Sequence, residues 1–214
     1  MPTYTDLYIS NAVQQGDASL RPEKNSAFKI GSRYRQTGFS AVLSGFYTHG
    51  KDMIDWVQTT ETELTDSKYH VMNIGKLDNM GFNVDAEIYM NELLPRCFVT
   101  NIRLGYAYIN QNHETETEIL KSLYALEYLR HKAVFGLDHK IWSKLSASWS
   151  VRWQQRMNGY HPYTKVDCKV MWNDRKYSVY VKADNITCHR YYDLSAVKQP
   201  GLWVMAGVSV NLGW

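Results

Sequence analysis

The C-terminal segment LWVMAGVSVNLGW (202–214) alternates between apolar and mixed residues over a whole strand length. Its apolar face consists of Leu202, Val204, Ala206, Val208, Val210, Leu212 and Trp214. A period of two is that of a β-strand, and a face that is apolar throughout must contact an apolar medium. The chain must therefore build a sheet with one apolar face, whichever medium that face meets.

Eight further segments show the same alternation, so the sequence predicts an all-β fold with nine antiparallel strands. The segment 79–90 is typical, because Met80, Phe82 and Val84 alternate with glycine and polar residues. The predicted strands cover 26–35, 39–48, 79–90, 98–108, 133–141, 145–156, 164–172, 177–184 and 202–214.

The connections between these segments alternate strictly in length. Short connections fall near 36–38, 91–97, 143–144 and 173–176, and long ones near 49–78, 109–132, 157–163 and 185–201. Successive connections of an up-and-down meander lie at opposite ends. All long loops then share one end, which is the pattern of outer-membrane β-barrels. Helical spacing of Ile119, Leu120, Leu123 and Leu126 also predicts a short surface helix inside the second long loop.

Two environments remain possible for the apolar face. In a transmembrane barrel it faces lipid, whereas in a soluble β-barrel that binds a small molecule it lines the interior. The strongest apolar faces carry no charge through their middle, which favours lipid, where Arg or Lys costs about 2–4 kcal/mol. No run of eighteen apolar residues predicts a transmembrane helix.

Bacterial single-chain barrels have an even number of strands, so a count of nine predicts an incomplete barrel. About nine or ten strands leave two open edges, and each unpaired backbone group costs several kcal/mol in hydrocarbon. The opening MPTYTDLYIS also lacks the basic and apolar regions of a signal peptide. We therefore expect residues 1–214 to be the C-terminal part of a larger barrel. If its last strand ends in the periplasm, the long loops and residues 1–25 are extracellular and the short turns periplasmic.

Several motifs resemble TonB-dependent outer-membrane receptors of the cobalamin and siderophore type. They are PTYTDLY with LRPE (2–23), FYTHGKDMIDWV (46–57), NIGKLDNMGFNVDAEI (73–88) and DNITCHRYYDL before PGLWVMAGVSVNLGW (184–214). The terminal aromatic strand also resembles the barrel-assembly signal of outer-membrane proteins. Two residues depart from the family pattern, Leu202 where Arg is usual and Trp214 where Phe is usual.

The resemblance implies a bacterial outer-membrane receptor with about 22 strands around a plug and uptake of a scarce nutrient, such as a siderophore or cobalamin. Its implied partners are the lipid bilayer, the missing N-terminal strands and plug, TonB through an absent N-terminal region, the barrel-assembly machinery through the Trp214 end, and a small-molecule ligand. Without its plug, the fragment is not expected to transport alone.

Candidate ligand-binding residues lie in the predicted loops and lumen. They are the loop residues Trp56, Tyr160, His161, Tyr191 and Tyr192 and the lumen cations Arg103, Arg152 and Arg156. Loop aromatics suit adaptable binding surfaces, and arginine suits carboxylate or phosphate. No catalytic set, metal motif or cofactor site is predicted, because the histidines have no ligand spacing. The net charge of +3 gives no argument for nucleic acid.

Overall fold

Nine antiparallel strands form one continuous sheet in the computed structural model, as the alternation predicts. The structure describes residues 1–115, 117–123, 126, 128–157, 159, 161–192 and 197–210. In chain order the strands are β1 (Gln14–Gln15), β2 (Lys24–Gln36), β3 (Phe39–Lys51), β4 (Ile54–Thr59), β5 (Tyr69–Asn73), β6 (Lys76–Tyr89), β7 (Val99–Glu114), β8 (Ile119–Ser122), β9 (Leu129–Lys140), β10 (Leu145–Arg156), β11 (Tyr163–Asn173), β12 (Tyr177–Asp184) and β13 (Trp203–Val210). Three short helices are α1 (Tyr4–Tyr8), α2 (Thr60–Thr65) and α3 (Met90–Leu93).

The large sheet has the spatial order β13-β12-β11-β10-β9-β7-β6-β3-β2, a meander in which each long strand pairs with its neighbours in sequence. This confirms the predicted all-β, antiparallel fold with an open sheet. Strands β6 and β7 extend beyond the predicted ends, to Lys76 and Glu114, because they continue to pair with each other outside the apolar band.

The register places the alternating apolar residues of every strand on a single face. One cross-strand row joins Ala86, Leu104, Phe135 and Val151. These side chains are not packed in a dry interior, since Leu104 is 47% exposed and Val208 is 68% exposed. An exposed, continuous apolar face is what a sheet in lipid presents, and it counts against a soluble barrel with that face inward.

Polar atoms on the apolar face bond to one another. The Tyr106 hydroxyl lies 2.7 Å from Nδ1 of His131, and the indole Nε1 of Trp149 donates to Nε2 of His139 at 3.1 Å. Phe82 completes an aromatic cluster with Tyr106, its ring centroid 5.9 Å away. Pairing within the face removes the penalty of leaving such groups unsatisfied in an apolar medium.

Successive connections lie at opposite ends, as predicted, and the three longest share one end. The connection 157–162 at that end is an exception in length, because it is shorter than the connection 90–98 at the other end. The tightest turn joins β2 to β3 through Thr37 and Gly38. Gly38 has a φ of +73°, a conformation that glycine adopts without strain. Its amide donates to Oε2 of Glu92 at 2.8 Å, which ties the first short turn to helix α3 in the second. We refer below to the long-loop end and the short-turn end.

The long-loop end contains a second sheet, with the order β1-β5-β4-β8, that the alternation did not predict. Its strands come from the N-terminal segment and from two long connections. The predicted surface helix is wrong, because Ile119–Ser122 is a strand that pairs with β4. The reason lies in a distant contact, since the Ser122 hydroxyl donates to the buried carboxylate of Asp55.

The large sheet ends in β2 on one side and β13 on the other. No strand among the described residues pairs with their outer edges. Within the same described part of the chain, no helix is both long and apolar enough to cross a membrane.

Candidate functional site: the luminal wall and the long-loop mouth

The face opposite the apolar one is polar and charged, and we call it the luminal wall. Its basic side chains outnumber its carboxylates. The basic residues are Lys29, Arg33, Arg35, Arg103, Lys132, Lys140, Arg152, Arg156, Lys165, Lys169 and Lys182, and the carboxylates are Asp85, Glu87, Asp138, Asp167 and Asp184. These residues share one face because, in each strand, the residues between the apolar ones point to the opposite side of the sheet.

A groove of about 560 Å³ runs along this wall across β3, β6, β7 and β9. Its lining includes Asn83, Asp85, Glu87, Arg103 and Lys132. Carboxylates and cations therefore alternate within one depression. Such a surface can hold a polar or charged molecule by hydrogen bonds and ion pairs.

Arg103, a predicted lumen cation, forms an ion pair within the wall. Its Nη2 lies 3.0 Å from Oδ2 of Asp138, on the neighbouring strand, while its side chain remains half exposed. Glu87 lies opposite Arg103 in the register and accepts hydrogen bonds from Tyr89 and Asn101. Arg103 is thus held in place by the wall and still faces the groove.

Arg152 lies two strands from Arg103, in a different environment. It stands directly opposite Lys165 in the register of β10 and β11. The amine of Lys165 lies 3.3 Å from Asp167. Lys165 is thus neutralised within the wall, and Arg152 is the cation of this pair that remains for an anionic partner. Arg156 ends β10 at the long-loop end, next to a β-bulge.

Aromatic side chains are stacked at the long-loop end of the luminal wall, which we call its mouth. Tyr191, a predicted site residue, stacks on Tyr163 with ring centroids 4.2 Å apart, and the His189 ring is also stacked with Tyr163, at 6.5 Å. Tyr163 is buried. We call Tyr163, His189 and Tyr191 the mouth stack; alternation could not identify it because the contact crosses between strand and loop.

Asn185 organises the loop that carries the mouth stack. It is buried, adopts a left-handed φ of +54°, and follows directly after β12. Its side-chain amide donates to the carbonyls of His189 and Pro200, while its carbonyl accepts from the His189 amide at 3.1 Å. Asparagine tolerates this conformation and bonds locally to backbone, which is the signal that sequence reasoning could have used.

Trp56, another predicted site residue, lies inside the small sheet. Its side chain is 6% exposed, and its indole Nε1 donates to Oδ1 of Asp6 at 3.2 Å. Burial raises the pKa of Asp6, but hydrogen bonds from Thr3 and Trp56 outweigh it, so the pKa lies below its ordinary value. Trp56 therefore joins the N-terminal segment to the loop sheet instead of facing solvent.

The remaining predicted residues are spread over the long loops. Tyr192 forms an isolated β-bridge with Lys198, and His161 is exposed just before β11. Tyr160 and the terminal Trp214 lie outside the described residues. The structure thus brings Tyr191 and Tyr192 into one loop and keeps Arg103 and Arg152 on the wall, and the seven described candidates do not share one pocket.

Within the described ranges, no three His, Cys, Asp or Glu side chains are grouped to hold a metal ion. The chemistry that the site offers is recognition. Arginine and lysine side chains on the wall and stacked rings at its mouth can bind a polar ligand by charge and by aromatic contact.

A family described as TonB dependent receptor-like, β-barrel matches residues 1–186, most of the chain. The chain belongs to this family. Its members are bacterial outer-membrane proteins, so the chain is a portion of an outer-membrane barrel.

Solved structures show the same fold at low sequence identity. The copper transporter OprC is 16% identical with a TM-score of 0.72, over 97% of this chain and 34% of that one. The FrpB iron transporter from Neisseria meningitidis is 16% identical with a TM-score of 0.66, over 92% and 31%. The siderophore receptor PirA from Pseudomonas aeruginosa is 15% identical with a TM-score of 0.62, over 92% and 31%. The chain spans about a third of the length of these proteins.

Proposed function

We propose that this chain is the C-terminal part of a TonB-dependent receptor that imports a scarce nutrient, such as a siderophore or cobalamin, across the outer membrane. The observation that carries the proposal is the open nine-stranded sheet with an exposed apolar face, combined with the family match over residues 1–186. The similar structures include an iron transporter and a siderophore receptor, which supports uptake as the activity.

In this proposal the long-loop end is extracellular and the short-turn end periplasmic. The sheet edges at β2 and β13 pair with further strands of the same receptor, and a plug fills the lumen against the luminal wall. TonB acts on a region outside this chain. The chain alone does not transport, since a sheet with two open edges encloses no channel.

The ligand enters past the mouth stack and meets the basic luminal wall. Tyr191 and Tyr192 offer aromatic contact, and Arg152, beside the Lys165–Asp167 ion pair, offers positive charge to a carboxylate or phosphate group. His161, Arg103, Arg156 and Tyr160 contribute to the same path, while Trp56 supports it from inside the small sheet.

Uptake of labelled ferric siderophores and of labelled cobalamin, in cells with and without TonB, tests the transport proposal. We expect one class of cargo to accumulate only when TonB is present. Equal accumulation without TonB would contradict energised uptake. Recovery of the chain as a soluble monomer without detergent would instead support the soluble binding module.

Substitutions test the binding path in the full receptor. Arg152→Ala is expected to weaken cargo binding by about tenfold or more, because a hydrogen bond to a charged group contributes about 1.5–3 kcal/mol. Tyr191→Ala is expected to weaken it about two- to tenfold, because an aromatic contact contributes about 0.5–1.5 kcal/mol. Arg175→Ala, an exposed arginine at the short-turn end, is the matched control and should leave the affinity unchanged. Unchanged affinity in both test variants removes these residues from the path.

A further inference from the structure

The apolar face, which we also call the outward face because it lies opposite the luminal wall, changes from aromatic to charged residues near the long-loop end of β2 and β3. Phe28 and Tyr47 lie opposite each other in the register, and both are exposed on the apolar face. Aromatic residues of this kind mark the boundary between hydrocarbon and headgroups. Two residues further along, His49 and Asp78 are joined by a 2.6 Å contact, so polar groups begin directly beyond the aromatic ones.

Two residues beyond His49, a pair of lysines faces the same side. Lys24 and Lys51 are directly opposite in the register of β2 and β3, and both are exposed. They belong to the outward face because they keep the alternation that runs through Phe28 and Tyr47. Lys76 begins the next strand on the same face, where it forms an ion pair with Glu114 at 2.8 Å.

The nearby carboxylates are already engaged. Asp52 pairs with Arg21 at 2.8 Å, and Asp78 binds both His49 and the Tyr47 hydroxyl. Glu23 accepts the backbone amide of Ile54 at 2.8 Å. Within the described part of the chain, neither Lys24 nor Lys51 has an acidic partner. Like charges placed directly opposite each other destabilise a sheet, so the pair calls for an anion from outside the chain.

We infer that Lys24 and Lys51 hold the phosphate of a lipid headgroup in the outer leaflet. The inference rests on the proposed function for its orientation, since that places the long-loop end outside the cell. The pair lies beyond the aromatic boundary, where headgroups begin, and lysine is a strong point-charge partner for phosphate. The two amines on adjacent strands can share one phosphate, which removes their mutual repulsion and pins this part of the sheet to the membrane surface.

The receptor purified from outer membranes tests this. The double variant Lys24→Gln with Lys51→Gln is compared with Lys144→Gln with Lys176→Gln, which removes the same charge from two lysines at the short-turn end, one of them paired with Asp174. Phosphorus retained per protein after detergent washing is measured, followed by titration with purified lipopolysaccharide. We expect the first variant to bind lipopolysaccharide about tenfold more weakly and the control to match the unmodified receptor.

A charge-preserving variant separates loss of binding from loss of folding. Lys24→Arg with Lys51→Arg should retain the lipid, because the two positive charges remain. Equal retention in the glutamine variant and the control overturns the inference, as does loss of lipid from the arginine variant when that variant is folded. Full competition by inorganic phosphate at the same concentration also overturns it, because the pair would then be a site for free anions.

Failure of the inference and failure of the proposed function are distinguishable. A receptor that reaches the outer membrane and imports cargo, but binds lipid equally in all variants, disproves the lysine site alone. A chain that never appears in the outer-membrane fraction disproves the proposed function and the orientation on which the site depends.

Discussion

The two sheets of this chain use the same secondary structure with opposite burial. The large sheet leaves its apolar side chains exposed, with Val208 at 68%, whereas the small sheet buries Val57 completely. The difference follows from the medium, since lipid accepts apolar side chains directly and water forces them together. Exposed apolar residues would therefore destabilise the small sheet in water, whereas the large sheet needs them for contact with lipid.

Replacing Trp56 with alanine should produce the largest effect, and it should be confined to the small sheet. Removing a buried tryptophan costs about 3–5 kcal/mol. Amide hydrogen exchange should accelerate in β4 and β5 and stay unchanged in β6. Trp142→Ala, at an exposed tryptophan of a short turn, is the control and should have little effect. Equal acceleration in both sheets would mean that they unfold as one unit.

A charge placed on the outward face should destabilise the large sheet for a different reason, the cost of a charged group in lipid. Val84→Arg puts a cation into the lipid face and should lower the free energy of unfolding in vesicles by about 2–4 kcal/mol. Asn83→Arg is its neighbour on the luminal wall and should change it by less than about 1 kcal/mol. Urea titration of the two variants measures the difference. If both variants lose the same stability, the assignment of the two faces is wrong.

Acid should loosen one loop in each region and leave the strands intact, the smallest effect of the three. The Lys68 backbone amide lowers the pKa of Asp66 beside the small sheet, and Lys144 lowers that of Asp174 in a short turn. A lowered folded pKa means that the stabilisation is present above the ordinary value of 3.8 and is lost as the pH falls through the folded pKa.

NMR relaxation of these loops above and below that pH measures the change. Asp174→Asn should remove the pH dependence of its own turn and leave the loop of Asp66 unaffected. A dependence that survives in this variant must come from another group.

The large sheet could be predicted from sequence because its signal is long and repetitive. A strand such as β6 repeats its alternation from Met80 to Ile88, so local pattern alone is sufficient. The small sheet could not be predicted in the same way, because β4 and β5 are short and their positions depend on pairing between distant segments. Ile119 and Leu120 fit helical spacing, but the contact between Ser122 and Asp55 makes their segment a strand.

The candidate site shows the same limit. Alternation placed Arg103 and Arg152 on the luminal wall, because the face of a strand residue follows from its position. It could not foresee that Trp56 would be buried or that Tyr163 would stack on Tyr191, since those contacts join separate loops and strands. Which of these residues bind the cargo stays a prediction.

The small sheet joins three stretches of chain that are far apart in sequence. Strand β1 belongs to the N-terminal segment, β4 and β5 to one long connection, and β8 to another. Because their backbones are hydrogen-bonded in one sheet, none of the three stretches can shift without displacing the other two. A displacement of one of these stretches is therefore expected to be transmitted through the small sheet to the adjoining ends of β2 and β6. We expect the long loops to move together, as one unit, when a ligand binds to any of them.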